Sequence, residues 1–278
     1  MKNRNAGIFV INKKTMSKED EEIIKFKSCI IIDASINNLE SNIKEIIKKE
    51  INVNKLQPVT KNTIIYPLEK EQLKFDNSYG GFKDNGKEYF IYKNETNKLP
   101  TVWSNVLANN LFGTVVTDNL GGYTWSKNSR MNRITAWNND PTLDLPSEIF
   151  YIKDEKTKEY WTINSGLNPN KNYYYITHGF GYTKIKNTNN DLEINYDVFV
   201  PVQDELKVNK IVIKNLLNEE RKIKLLAYIK PVIGEEEYFT NGNIYLEKDN
   251  NTIFINNKFK DSFFNDREAF IMSSESIN

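Results

Sequence analysis

The chain has 278 residues, of which 39% are hydrophobic and 12% aromatic, and its 38 Lys and Arg nearly balance its 37 Asp and Glu. A chain of this length can bury a sizeable core, and its balanced charge creates no global field that would attract nucleic acid or an acidic membrane. We find no apolar run long enough for a membrane span and no secretory signal after the polar start. We therefore expect a cytoplasmic location, with neither nucleic acid nor a membrane as partner.

The first 70 residues alternate strand-like and helix-like patterns. Ser17, followed three residues later by Asp20, predicts the start of a helix, because the two side chains together resemble a capping box. The other predicted elements are a strand over 7–12, a strand over 29–33 and a helix over about 38–50. This order predicts a small α/β unit over residues 1–70.

Residues 71–278 carry short alternating runs separated by Gly, Asn, Asp and Pro. In "DLEINYDVFV", for example, the apolar residues from Leu192 to Val200 share one face, which indicates a half-buried strand. Many such runs without a helical pattern predict a mainly β fold, a large antiparallel β-sandwich over 71–278. We also predict that "KVNKIVIKN" and "RKIKLLAYIK" form a hairpin.

Cys29 and His178 are the only cysteine and histidine. This count excludes disulfides, Cys/His zinc sites and Ser-His or Cys-His machinery that does not use His178. Cys29 lies in an apolar run and is interpreted as a small buried hydrophobe. For His178, a satisfied turn or core position is favoured over a role in proton transfer.

The polar segment Gly121–Pro141 contains two of the four tryptophans and two of the five arginines. Saccharide sites combine aromatic platforms with amides, carboxylates and guanidinium groups, because sugar rings present apolar C–H faces and a rim of hydroxyls. The candidate substrate-binding residues are Trp125, Asn128, Arg130, Arg133, Trp137, Asn139 and Asp140. An alternative stays open, in which the tryptophans pin a long loop and the arginines pair with surface acids.

Three carboxylates in or after this segment, Asp140, Asp144 and Glu148, could be interpreted as a glycosidase pair. An inverting pair must lie on opposite sides of a bound sugar, and nothing in this spacing requires that. Because "NNDPTLDLP" has the composition of a turn, structural carboxylates are favoured. We therefore predict no catalytic residue in the segment.

Four stretches carry a resemblance to a known family: "YGGFKDNGKEYFI", residues 100–141 from "PTVWSNV" to "AWNNDP", "HGFGYT" and "DVFVPVQDELKVNKIVIKN". Together they resemble the amino-terminal sandwich of the inverting glycoside phosphorylases. That group includes cellobiose, chitobiose and 1,2-β-oligoglucan phosphorylases and the phosphorylase-like part of cyclic β-1,2-glucan synthase. The last two are the most similar, and the resemblance extends into the lead-in before the sandwich.

The resemblance implies that a catalytic (α/α)₆ barrel, which supplies the general acid, follows the sandwich in the complete enzyme. The chain is expected to be an amino-terminal, substrate-facing part without that acid, inactive alone. The implied partners are a β-glucan oligosaccharide, the barrel and a second copy in a homodimer. Inorganic phosphate is the implied co-substrate, with no organic cofactor or metal. The alternatives are a stand-alone carbohydrate-binding or structural module and, third, a mutarotase-like enzyme.

Overall fold

The computed structural model of the chain describes residues 11–27, 64–69, 72–167, 171–240, 242–257, 262–264 and 267–277. The chain divides into two compact units, Met1–Lys55 and Leu56–Asn278. In the described residues, no helix is both long and apolar enough to cross a lipid bilayer.

The described part of the first unit is a 3-10 turn, Lys13–Thr15, followed by helix α1, Lys18–Lys27. The predicted helix start is confirmed: the Asp20 amide donates to Ser17 Oγ at 3.0 Å, and Ser17 Oγ donates to Asp20 Oδ2 at 2.7 Å. The predicted strand over 29–33 and helix over 38–50 lie outside the described residues, as do residues 7–10 of the first predicted strand. The extent of an α/β unit over 1–70 stays a prediction.

In its described residues, the second unit consists of antiparallel strands, the short helix α2 (Glu237–Thr240) and the 3-10 turns Asp84–Gly86 and Ser262–Phe264. Its strands are β1 (Gly80–Lys83), β2 (Glu88–Lys93), β3 (Ser104–Ala108), β4 (Phe112–Thr117), β5 (Thr124–Ser126), β6 (Arg133–Thr135), β7 (Glu148–Asp154), β8 (Tyr160–Thr162), β9 (Tyr174–Gly179), β10 (Tyr182–Asn189), β11 (Leu192–Phe199), β12 (Val208–Asn215), β13 (Ile223–Ile229), β14 (Pro231–Gly234), β15 (Ile244–Asp249), β16 (Thr252–Asn257) and β17 (Ala269–Met272). The predicted mainly β fold is confirmed.

These strands form four sheets. The largest has the order β1-β2-β9-β10-β11-β12, the next β14-β6-β5-β4-β3, and two three-stranded sheets have the orders β13-β7-β8 and β15-β16-β17. Segment 64–69 of this unit is bonded to residues at the start of β9: the Tyr66 amide donates to Asn172 Oδ1 at 2.8 Å, and the Glu69 amide donates to Tyr175 Oη at 2.9 Å.

One buried cluster contains residues of the six-stranded, the five-stranded and the β13-β7-β8 sheets. Trp161 lies in it with Ile91 and Ile176 of the large sheet and Leu107 and Val116 of the five-stranded sheet. The alternation predicted for β11 is confirmed, because its even-numbered apolar residues are fully buried: Leu192, Ile194, Tyr196 and Val198.

The predicted hairpin of β12 and β13 is wrong. β12 pairs with β11 at the edge of the six-stranded sheet, whereas β13 pairs with β7 in a different sheet. The connection between them passes from one sheet to another. Strand patterns in the sequence identified both elements correctly, but they carry no information on which sheet a strand joins.

Candidate functional site

The segment Gly121–Pro141 forms β5, β6 and the turns around them. Asn128 organises the β5–β6 turn, because its Oδ1 accepts the amides of Arg130 and Met131, each at 2.9 Å. The buried Asn132 closes the turn by donating from Nδ2 to Ser126 O at 3.0 Å. The amide side chains of this turn therefore have a structural role that their composition alone did not reveal.

One face of this sheet region carries Tyr123, Trp125, Arg133 and Trp137, which we name the aromatic–arginine face. The rings of Tyr123 and Trp137 are stacked, with centroids 4.7 Å apart and an interplanar angle of 19°. Trp125 packs beside Tyr123, with centroids 5.2 Å apart. Trp125, Arg133 and Trp137 are half-buried, so part of each remains open to solvent.

Arg133 lies over the stacked pair. Its guanidinium carbon is 5.4 Å from the Tyr123 ring centroid and 5.9 Å from that of Trp137, which is the range of a cation–π contact. Within the described residues, no carboxylate lies within ion-pair distance of this guanidinium. Its Nε donates to Ser129 O at 3.4 Å. The face thus combines an aromatic surface with a planar cation whose terminal N–H groups can donate to sugar hydroxyls or to a phosphate.

The remaining predicted residues either lie outside the aromatic–arginine face or accept hydrogen bonds from nearby backbone amides. Arg130 is exposed, and its Nε lies 3.3 Å from Glu235 Oε1. Asp140 Oδ1 accepts the amides of Thr142 at 2.8 Å and Leu143 at 3.1 Å, and these two bonds hold the pKa of Asp140 below its usual range. Asn139 is exposed and adopts a left-handed backbone conformation with φ of 49°.

Side chains of β5 and β6 also form a network around Glu148, which we name the Glu148 network. Glu148 Oε1 accepts from Thr124 Oγ1 at 2.6 Å and Thr135 Oγ1 at 2.8 Å, and Lys207 Nζ lies 2.8 Å from Oε2. Burial alone raises the pKa of Glu148, but the charge of Lys207 and these hydrogen bonds outweigh it, so the pKa is lowered. Glu148 is therefore an ionised structural group.

The Asp144 carboxyl group also has a hydrogen-bond partner within the fold. Thr117 Oγ1 donates to Asp144 Oδ2 at 2.6 Å, and a Cβ atom at Gly121 would come within 2.0 Å of Asp144 Oδ1. Burial raises the pKa of Asp144. Gly121 therefore allows the β4–β5 connection to approach this carboxyl closely.

His178 lies on β9, where its Nδ1 is 3.0 Å from Thr183 Oγ1 on the neighbouring β10. Burial lowers the pKa of His178 and favours its neutral form, although the Asp118 carboxylate opposes this shift. His178 thus occupies a packed position in a strand and not a position in a turn.

Sequence reasoning missed a cleft of about 610 Å³ on the six-stranded sheet. Tyr92 and Tyr173 lie in its wall with ring centroids 6.4 Å apart, and Tyr92 Oη donates to Asp76 Oδ1 at 3.1 Å. The remaining lining residues are Leu68, Ser78 and Asn97. Both "YFIYK" and "YYYITH" are rich in tyrosine, which could have pointed to an aromatic cleft, but only the pairing of β2 with β9 brings these tyrosines together.

Comparison with known proteins gives a family match over most of the chain. The profile of the family described as "Glycosyl hydrolase 94, supersandwich domain" matches residues 87–278. This range includes the whole aromatic–arginine face and the Glu148 network. The resemblance to the inverting glycoside phosphorylase group is confirmed.

Three relatives are proteins with named carbohydrate activities. Cyclic β-(1,2)-glucan synthase NdvB of Rhizobium meliloti (strain 1021) is 27% identical over 239 residues, which are 82% of this chain and 8% of that protein. N,N'-diacetylchitobiose phosphorylase of Vibrio proteolyticus is 28% identical over 155 residues, 55% of this chain and 19% of that protein. Solabiose phosphorylase of Paenibacillus borealis is 28% identical over 103 residues, 36% of this chain and 13% of that protein. The chain spans less than a fifth of the length of each.

Proposed function

The chain belongs to the family of the glycosyl hydrolase 94 supersandwich domain, and from this we propose that it is the substrate-facing domain of a carbohydrate-active phosphorylase or glycosyltransferase that acts on β-1,2-glucans. The proposed substrate rests on the similarity to a synthase named for β-(1,2)-glucan, and this similarity covers 82% of the chain. The similarity to two phosphorylases supports the reaction class.

The aromatic–arginine face supplies the contacts that such a domain needs. The half-buried Trp125 and Trp137 offer a platform for the C–H face of a sugar ring, since aromatic and sugar faces are both flat and apolar, and the buried Tyr123 stacks behind Trp137 and supports it. Arg133 lies beside the platform, where its N–H groups donate to ring hydroxyls or to phosphate oxygens. The role of this face is to bind and orient the oligosaccharide.

The bond-breaking step is proposed to take place on the catalytic barrel of the complete enzyme. There a carboxylic acid protonates the leaving oxygen while inorganic phosphate attacks the anomeric carbon from the opposite side, with inversion. No cofactor or metal is needed for this displacement. The engagement of Asp140, Asp144 and Glu148 within the fold supports a non-catalytic role for this chain.

Calorimetric titration of the purified chain with β-1,2-glucooligosaccharides tests the binding proposal. We expect saturable binding that Trp137→Ala weakens at least about tenfold, as expected for an aromatic anchor. Tyr92→Ala, in the cleft on the other sheet, is the matched control and should leave the affinity unchanged. Equal loss in both variants, or preference for cellobiose or N,N'-diacetylchitobiose, would contradict the proposed site or the proposed substrate.

A second assay tests the division of labour between the domains. The chain alone should release no glucose 1-phosphate from β-1,2-glucooligosaccharides and phosphate, because positioning cannot replace a proton donation that contributes about 10²–10⁴ in rate. Adding the barrel in trans should restore activity and tighten sugar binding. If sugar binding were unaffected by the barrel, a stand-alone carbohydrate-binding module would be the better description. The cytoplasmic location stays a prediction.

A further inference from the structure

One face of the six-stranded sheet carries a row of tyrosines from β2 and β9. Tyr92 lies directly opposite Tyr175 on the neighbouring strand, and Tyr173 shares this face because it lies two residues from Tyr175. The ring centroids of Tyr173 and Tyr175 are 6.3 Å apart at an interplanar angle of 28°, and Tyr92 meets Tyr173 edge-on at 6.4 Å. The intervening residues Ile91 and Tyr174 are fully buried, so the tyrosine row points away from the core.

Part of this row lines the cleft on the six-stranded sheet, which we name the tyrosine cleft. Tyr92 and Tyr173 are half-buried and lie in its wall, together with Leu68. The hydroxyl of Tyr175 is already engaged, because its Oη accepts from the Glu69 amide at 2.9 Å. The volume of the cleft, about 610 Å³, lies within the range of small-molecule sites. The cleft is therefore large enough for a ligand that covers the two half-buried rings.

Polar groups are held in fixed positions beside these rings. Asp76 Oδ1 accepts from the Ser78 amide at 2.9 Å and from Tyr92 Oη at 3.1 Å. Burial and the Asp76 carboxylate raise the pKa of Tyr92, so its hydroxyl stays protonated as the donor. Asn97 Nδ2 donates to Tyr92 O at 3.1 Å. Because a carboxylate has further acceptor positions and an amide has a second N–H and a carbonyl oxygen, both side chains can also bond to a ligand.

The charge of the tyrosine cleft favours a neutral ligand. Among the described lining residues, Asp76 carries the only charge, and none is Lys or Arg. A phosphate or carboxylate group on a ligand would meet this carboxylate without a compensating cation, whereas sugar hydroxyls can donate to it. Aromatic rings beside a carboxylate and an amide match the apolar C–H face and the hydroxyl rim of a sugar ring.

We propose that the tyrosine cleft is a second saccharide-binding site of this chain, in which a neutral sugar ring packs on Tyr173 while Asp76 and Asn97 bond to its hydroxyls. The site is separate from the aromatic–arginine face, which lies on the five-stranded sheet. Only the choice of a β-1,2-linked glucose oligomer as the probe rests on the proposed function. The rings and polar groups that define the cleft belong to other strands and turns.

The tyrosine cleft is the weaker of the two sites. Asp76 and Ser78 are exposed, so water competes for their hydrogen bonds. The described lining residues include no guanidinium that could donate in pairs. We expect a dissociation constant in the millimolar range, because only the surplus over the costs of ordering and desolvation appears as affinity. Loss of a cleft residue therefore leaves unchanged the tighter step of the calorimetric titration, which belongs to the aromatic–arginine face.

An NMR titration of the isotope-labelled Trp137→Ala variant with the β-1,2-linked glucose disaccharide isolates the cleft, because this variant weakens the other site. Millimolar binding should persist in it. Adding Tyr173→Ala should weaken that binding at least about tenfold, as expected for an aromatic anchor. Asp76→Asn keeps the shape of the side chain and the acceptor for the Ser78 amide, but it should also weaken binding, because hydrogen bonds to a charged group are stronger. Tyr228→Ala, at an exposed tyrosine on β13, is the matched control and should have no effect.

The outcomes of this titration separate the two sites. Absence of binding in the Trp137→Ala background, equal effects of Tyr173→Ala and Tyr228→Ala, or unchanged binding in Asp76→Asn overturns the proposal. Glucose 1-phosphate serves as the anionic probe, and tighter binding of it than of the neutral disaccharide also overturns the proposal. If Trp137→Ala left the calorimetric step intact, the aromatic–arginine face would fail as the main site, while the cleft variants would still decide whether the cleft binds sugar.

Discussion

The indole ring of Trp125 lies against the backbone of Gly113, its cross-strand neighbour: a Cβ atom at residue 113 would come within 2.4 Å of the ring atom Cζ2. Gly113→Ala must therefore lift the ring away from the sheet. We expect a loss of about 1–3 kcal/mol in the free energy of unfolding, the usual cost of overpacking. Chemical unfolding gives this free energy, and near-ultraviolet circular dichroism reports the ring's displacement.

A double-mutant cycle supplies the control for this prediction. In a Trp125→Ala background the added methyl group meets no ring, so Gly113→Ala should cost much less than it does in the wild type. An equal cost in both backgrounds would show that the backbone of residue 113, and not the contact with Trp125, requires glycine.

The ion pair of Lys207 and Glu148 predicts a large effect of charge removal. Lys207→Met leaves the Glu148 carboxylate without its cation in a largely buried site, which should destabilise the fold by about 3–5 kcal/mol. The double variant Lys207→Met, Glu148→Gln removes both charges and should recover at least about 1 kcal/mol of that loss. Thermal and urea unfolding measure both. A double variant that is less stable than Lys207→Met would show that the threonine hydroxyls require a carboxylate.

His178, which is half-buried in β9, predicts a pH dependence of stability. In the unfolded chain its pKa is near the ordinary value of 6.5, whereas burial lowers the pKa in the folded chain. Between these two pKa values the unfolded state binds more protons, so stability falls as the pH is lowered below about 6.5. The loss approaches about 1.4 kcal/mol for each pH unit within that window.

Comparison with His178→Gln isolates this contribution. Carboxylates add their own pH dependence at lower pH, but they are common to both proteins. Urea unfolding between pH 7.5 and 5.5 should therefore give a steeper decline for the wild type than for the variant. If the free energy of unfolding declined in parallel in both proteins, protonation of His178 in the folded chain would carry no free-energy cost.

Local patterns in the sequence were enough to predict the antiparallel sandwich. The alternation of β11 is visible because its residues from Leu192 to Val198 are buried on one face only. Sheet membership was not predictable, as β12 and β13 show: neighbouring strands in the chain entered different sheets, and packing of the whole sandwich determines that choice. The exposed apolar residues of β13 are likewise a property of its place at an edge.

The candidate site was predicted in part. The composition of Gly121–Pro141 pointed to Trp125, Arg133 and Trp137, which the structure brings onto one face. Tyr123 was missed, although it is the centre of the stack, because it is a buried residue whose contacts with Trp125 and Trp137 no local pattern reveals. The cleft around Tyr92 and Tyr173 depends on strand pairing across more than 80 residues of chain, which no local pattern encodes.

The two arginines of the segment should differ in what their loss changes. Arg130 is exposed and pairs with a partly exposed Glu235, and such a pair contributes at most about 1 kcal/mol. Arg130→Ala should therefore leave the melting temperature nearly unchanged. Arg133 stacks on two rings that remain in place without it, so Arg133→Ala should also leave the melting temperature nearly unchanged.

Ligand binding should separate the two variants. The Arg133 guanidinium lies over the Tyr123 and Trp137 rings with no described carboxylate within ion-pair distance, and its Nε donates to Ser129 O at 3.4 Å, so its terminal N–H groups can donate to a ligand. Arg133→Ala should weaken binding of β-1,2-glucooligosaccharide by about 2 kcal/mol, more than tenfold, whereas Arg130→Ala should weaken it less. Calorimetric titration and thermal unfolding on the same preparations measure both quantities. If Arg133→Ala instead lowered the melting temperature and left the affinity intact, the guanidinium would be holding the loop, and the aromatic–arginine face would be a structural anchor.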